Sequence, residues 1–194
     1  HYFVAPDNGV LSLVYERAKE AVELADEYGL ELWLAWGMIE LGWAEAELGN
    51  MQEGIATMQR AIAAYAATGA ELWSSYFLQL LADQLAKAGG VEEALAVIAK
   101  ALAYAELSGE KYSLAELHRL KGELMIKAGE QPRASKGPRD TNPTSTESSP
   151  ALDQAQASFA EALSVARQQQ AKSWELRAIM SMERVATKVR TCST

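Results

Sequence analysis

Trp33, Trp36 and Trp43 stand three and seven residues apart, a spacing that puts three indole rings on one helical face. Such a wall can grip an apolar or ring-bearing ligand, or a partner helix. Forty residues on, the same positions hold Trp73, Tyr76 and Asp83, with Gln79 beside them. Further along they hold Glu116 and Glu123 flanking Arg119, and then Arg177 and Arg184 after Trp174. The row passes from aromatic to charged, and guanidinium groups read carboxylates and phosphates bidentately. Two uses fit each group. The rings either face a ligand or pack on a neighbouring repeat, and the arginines either hold an anion or pair with Glu116, Glu123, Glu175 and Glu183.

Nothing in the chain suggests catalysis. His118 has no Ser or Cys nucleophile and no further metal ligands at a recognisable spacing, so a structural hydrogen bond is expected of it. The single cysteine, Cys192, allows neither an internal disulfide nor a Cys-based metal site, which suits a reducing, cytoplasmic compartment. No Gly-rich phosphate loop ending in Lys-Ser/Thr is present, nor a carboxylate pair identifiable as a cyclase metal site. The expectation is a chain with no catalytic residues, metal or cofactor.

Composition narrows the partners. The 194 residues are 49% apolar, enough for a folded core, and carry a net charge of -8. Residues 1–130 hold 20 acidic and 9 basic side chains, an acidic body that repels nucleic-acid backbones. No apolar run approaches the roughly 18 residues a bilayer span needs, so no membrane is expected. The opening His1-Tyr2-Phe3-Val4 lacks an initiator Met and a signal pattern, and reads as the start of a fragment.

The elements that position these side chains follow from a forty-residue period. Gly29, Gly69 and Gly109 share it, as do Gly42, Ala82 and Gly122, then Gly49, Gly89 and Gly129, then Ala21, Ala61 and Ala101. Small residues at a fixed step mark helix turns and close helix contacts, which predicts stacked helical hairpins. First (A) helices are predicted at 31–48, 71–88, 111–128 and 172–189, and second (B) helices at 10–28, 51–68, 91–108 and 152–169. The glycines at 29, 49, 69, 89, 109 and 129 should end helices. Asn50 with Glu53 resembles a capping box, and Ser149-Pro150 offers a cap followed by a first-turn proline. Met58, Ile98 and Phe159 should lie in the hairpin seams. The fold class is all-α: a right-handed α–α superhelix of four hairpins and eight helices, forming one domain over 1–194. Residues 131–151 hold four of the five prolines amid Ser and Thr, predicting a flexible insertion in the third hairpin.

These residues resemble the tetratricopeptide (TPR) pattern of small residues at helix contacts: Gly42, Gly54 and Ala61, then Ala82, Ala94 and Ala101, then Gly122, Ala155 and Ala162. There, Gly54 replaces an alanine. Longer phrases, such as Leu32-Trp33-Leu34-Ala35-Trp36-Gly37 and Ser173-Trp174-Glu175-Leu176-Arg177-Ala178, resemble the C-terminal repeat region of large bacterial signalling proteins. In those proteins a class III adenylate/guanylate cyclase or a DNA-binding domain precedes an ATPase module. The likeness covers roughly 30–185 and implies a regulatory repeat domain whose catalytic partners lie outside this chain. It also implies that A helices line a concave groove, which makes Trp33, Trp36, Trp43, Trp73, Tyr76, Gln79, Asp83, Glu116, Arg119, Glu123, Arg177 and Arg184 the contact set. The partners so implied are a protein or peptide segment, a neighbouring ATPase or cyclase domain, or a small effector. The alternative is an architectural segment that assembles the protein into a homo-oligomer through its repeat ends.

Overall fold

A computed structural model describes residues 8–130 and 150–192, and the side chains of 9–130 and 150–187. The described residues form eight α-helices and no strand. They are α1 (Asn8–Glu27), α2 (Glu31–Glu47), α3 (Met51–Ala67), α4 (Ser74–Lys87), α5 (Val91–Ser108), α6 (Leu114–Glu130), α7 (Pro150–Gln168) and α8 (Lys172–Cys192). All eight predicted helices are present, with α4 and α6 starting three residues later than the period suggests. Of the predicted insertion, 131–149 lies outside the described residues, while Pro150 and Ala151 open α7.

The helix ends follow from backbone chemistry. α2 closes with Gly49 N–H donating to the Ala46 carbonyl at 3.2 Å and Asn50 N–H to the Glu45 carbonyl at 2.9 Å, while Gly49 takes a φ of 110°. This is the six-to-one and five-to-two pair of a Schellman cap, and α1 and α4 end the same way. The cap also explains why Asn50 and Glu53 form no capping box. The Asn50 N–H that the Glu53 carboxylate would accept is held by Glu45, and Glu53 faces Arg60 at 3.6 Å instead. Gly129 ends nothing, since α6 runs through it to Glu130. Its small size serves a close approach, because a Cβ there would stand 3.3 Å from that of Ala151 on α7.

The chain divides into two compact units, up to Ser113 and from Leu114 onward. In the first, consecutive helices α1 to α5 pack pairwise and α2 also touches α4. The α2–α3 crossing is the tightest point. A Cβ on Gly54 would lie 2.4 Å from the Gly42 carbonyl oxygen and 2.6 Å from the Ala46 amide nitrogen, so glycine is obligatory where the TPR pattern has alanine. In the second unit α6 packs on α7, α7 on α8 and α6 on α8. Met58, Ile98 and Phe159 are fully buried in their seams, each contributing about 1.5–3 kcal/mol of apolar burial.

Candidate functional site

In the first unit the aromatic side chains form a continuous row that begins in the core and surfaces. Phe77 and Tyr65 are buried and meet edge-on at 5.0 Å between centroids. Trp36 lies across both, 5.3 Å from Phe77 and 6.4 Å from Tyr65, and reaches Trp73 at 6.4 Å and Trp33 at 5.8 Å, the last nearly parallel. Trp73 continues to Tyr112 at 4.8 Å and Tyr76 at 6.1 Å. Trp36, Trp73 and Tyr76 are half-buried, and the row emerges at Trp33 (57% exposed) and Tyr112 (51%).

The backbone that presents Trp73 is unusual. Trp73 adopts a φ of 66° just ahead of α4, a left-handed conformation that a side chain disfavours. Two phenols pin the preceding turn: Tyr65 Oη donates to the Leu72 carbonyl at 2.6 Å, and Tyr104 Oη to the Glu71 carbonyl at 3.2 Å. Burial, then the Tyr104 and Glu110 charges, push the Tyr65 hydroxyl above its ordinary pKa, so it remains a donor. The turn holds strain that fixes where one indole points.

Not every residue on the sequence-derived stripe stays on it. Ten residues of α-helix turn through about 1000°, so Trp43 sits about 80° round from Trp33. It is buried at 6% exposure, and Gln79, six residues past Trp73, is buried too, with its side-chain oxygen unpartnered. Asp83 holds Lys87 at 2.9 Å, and Lys87 also contacts Glu47. Burial favours the neutral Lys87, but the Asp83 and Glu47 carboxylates outweigh it and raise its pKa. Sequence reasoning did not assign Tyr65, Phe77 or Tyr112 to the row. For Tyr112 a signal existed, since it immediately precedes Ser113, the third-repeat member of the Trp33 position.

In the second unit the charged members join into an ionic stitch between α6 and α8. Arg119, buried, grips Glu116 with two parallel bonds of 2.8 and 2.7 Å and reaches Glu123 at 2.6 Å. From α8, Arg177 meets Glu116 at 2.6 Å, and Arg184 meets Glu123 at 2.5 Å. Ser181 donates to Glu123 at 2.9 Å and accepts from Arg119 at 3.3 Å. Burial penalises both charges, yet the Glu116 and Glu123 carboxylates raise the Arg119 pKa, and Arg119 with the Ser181 hydroxyl and Arg184 holds Glu123 below the usual carboxylate range. These guanidinium donors are directed at carboxylates, so the cluster holds helices together. The Arg177 guanidinium also lies 5.7 Å over the Trp174 ring. His118 is half-buried, and burial lowers its pKa. Among the described residues no group of three or more His, Cys, Asp or Glu could hold a metal ion, and no helix is long and apolar enough to cross a membrane.

No protein-family model matches the chain, and no curated protein matches it. Solved structures do. The chain superposes on the apo form of RapI with a TM-score of 0.55 at 17% identity, covering 93% of this chain and 65% of that one. It also superposes on a putative kinesin light chain with nearly identical TPR-like repeats from Podosopora anserina, with a TM-score of 0.50 at 16% identity, covering 94% and 90%. The fold is that of TPR-like helical repeats. The chain spans about two thirds of the RapI structure, 65% by length.

Within this TPR-like fold α2–α3, α4–α5 and α6–α7 are successive hairpins, and α2, α4, α6 and α8 are the A helices. The surfaced aromatic row belongs to α2, α4 and the turns before α4 and α6. The ionic stitch joins α6 to α8.

Proposed function

We propose that the chain is a non-catalytic, TPR-like scaffold that binds a peptide segment of a protein partner on the aromatic A-helix face of its first unit. The observation that carries this reading is the row Trp33, Trp36, Trp73, Tyr76 and Tyr112, contiguous, partly exposed and supported by a strained residue. Aromatic rings supply large contact area at little conformational cost, and exposed contiguous patches of them mark interaction sites. Asp83 on α4 is engaged with Lys87, and Trp43 and Gln79 are buried rather than part of the exposed row. Glu116, Arg119, Glu123, Arg177 and Arg184 act in this reading as the brace of the second unit. The resemblance in the phrases around Trp33 and Trp174 supports a regulatory setting in a bacterial cytoplasmic protein that carries an ATPase or cyclase module.

Selection of a peptide library on the purified chain, followed by calorimetric titration of the enriched peptides, tests the reading. Trp33→Ala and Tyr112→Ala should each weaken binding at least tenfold while the helical melting transition stays nearly unchanged. Enriched peptides that bind both variants as tightly as the parent would place the binding face elsewhere. Failure to enrich any peptide, together with self-association in light scattering, would favour the architectural role.

A further inference from the structure

Trp73, Tyr76 and Tyr112 meet as a corner, with no two of the rings stacked in parallel. Trp73 lies 6.1 Å from Tyr76 and 4.8 Å from Tyr112, Tyr76 lies 6.1 Å from Tyr112, and the three pairs of planes cross at 74°, 79° and 79°. Aromatic faces are electron-rich and attract a cation that comes within about 6 Å of the ring centroid. Centroids this close let one charge stand within that range of all three. Glu110 brings a carboxylate to the same place. It precedes Tyr112 by two residues and accepts the N–H of Ser75, which stands between Trp73 and Tyr76 in the sequence, at 3.1 Å.

The chain itself shows what a ring at this position takes. Trp174 holds the Trp73 position in the last repeat, and Arg177, three residues on, holds that of Tyr76. There the Arg177 guanidinium lies 5.7 Å over the indole. In the second repeat a phenol stands where the arginine would be, and no cation of the described residues lies over Trp73. The indole served from within at one repeat is left to an outside charge at the other.

We infer that the corner of Trp73, Tyr76 and Tyr112 receives an arginine side chain from a basic peptide segment of a partner protein. This rests on the scaffold reading above and gives the chemistry of the partner at one end of the row. Charge complementarity selects a basic segment, because the first unit carries 17 acidic side chains against 6 basic ones. Arginine suits the corner better than lysine, since its flat and weakly hydrated guanidinium stacks on aromatic faces.

The probe is N-acetyl-arginine methylamide, a single guanidinium with no other charge, titrated into the intact chain labelled with nitrogen-15 while NMR follows the indole N–H signals of the five tryptophans. The Trp73 signal should shift saturably, and the citrulline analogue, alike in shape but uncharged, should bind at least tenfold more weakly. Trp174, already under Arg177, and Trp33, 57% exposed but outside the corner, should move little. Tyr112→Leu should weaken the response of Trp73 at least fivefold and Glu110→Gln at least twofold. A Trp73 signal that arginine leaves in place would overturn the inference. So would equal shifts with citrulline, or a Trp33 shift equal to that of Trp73, because any exposed ring would then serve. Library-selected peptides that need Tyr112 but bind as well with citrulline in place of every arginine would sink this inference and leave the scaffold reading standing. A saturable Trp73 shift in a chain that enriches no peptide would uphold the cation site and sink the scaffold reading instead.

Discussion

The ring of Phe159 rests on the backbone of Gly122, so that a methyl group built on that glycine would stand 2.6 Å from Cε1 and 2.8 Å from Cζ. The same site pairs Gly42 with Met58 and, at the equivalent positions of the second hairpin, Ala82 with Ile98. The largest of these three seam side chains, Phe159, therefore faces a glycine. Replacing glycine by alanine inside an exposed helix normally stabilises by about 1 kcal/mol. Here Gly122→Ala should instead destabilise by about 1–3 kcal/mol, because the fully buried ring has little room to move. A shift of the urea midpoint to lower concentration checks it, and adding Phe159→Leu should recover part of the loss.

Gln170 occupies the place that Gly29, Gly69 and Gly109 hold at the ends of the other B helices, and it takes a φ of 53° with the same Schellman bonds, Ala171 N–H to Ala166 at 2.9 Å and Gln170 N–H to Arg167 at 3.0 Å. A left-handed residue with a side chain costs about 1–2 kcal/mol. Gln170→Gly should stabilise the second unit by about 0.5–1 kcal/mol, after the greater entropy of glycine in the unfolded chain is subtracted. Gly109→Ala should do the reverse. Thermal melting of both variants gives the comparison.

The forty-residue step made the helices, the seams and most of the turns legible before any coordinates, because glycine at a turn and small residues at a crossing answer to local geometry that recurs in every hairpin. What the period concealed was rotation around each helix. Trp43 shares a stripe with Trp33 in a linear alignment and Gln79 flanks the one that holds Trp73, yet the mismatch between their spacing and 3.6 residues per turn carries both into the packing. Tyr112 was hidden for a different reason, since it enters the row from a turn, where helical periodicity says nothing. The failed capping box at Asn50 was equally invisible, because the competing acceptor, the Glu45 carbonyl, belongs to the preceding helix.

The ionic stitch should respond unequally to its members. Arg119→Met leaves the buried Glu116 with Arg177 alone and removes a cation from between two carboxylates, and breaking a buried pair in this way costs about 3–5 kcal/mol. Arg184→Ala, at a side chain 68% exposed, should cost less than about 1 kcal/mol. Denaturant titrations of the two variants should differ accordingly. Near-equal losses would show that the exposed arginine carries as much of the α6–α8 contact as the buried one.

Acid should undo the same contact. Glu123 has its pKa held below the ordinary carboxylate range, because Arg119, Ser181 and Arg184 outweigh the effect of burial. A carboxylate depressed in the folded state adds stability that is complete above its unfolded pKa and is lost as pH falls from there through the folded value. The stability-versus-pH curve should therefore drop below about pH 4.5. Glu123→Gln should lie below the parent at neutral pH and converge toward it in acid. Parallel curves would mean that Glu123 does not govern the acid limb.

Trp73 combines a backbone cost with a functional position, and the two separate by comparing Ala with Gly. Both substitutions remove the ring and its contacts with Trp36, Tyr76 and Tyr112, but only glycine accepts a φ of 66° without strain. Trp73→Gly should thus be more stable than Trp73→Ala by about 1 kcal/mol, in contrast to an ordinary helical site where alanine wins. Loss of peptide binding should be equal in the two, since the missing indole is common to both. If Trp73→Gly melted below Trp73→Ala, the left-handed turn would not be the conformation that presents this ring, and the strain pinned by Tyr65 and Tyr104 would have no part in shaping the surface.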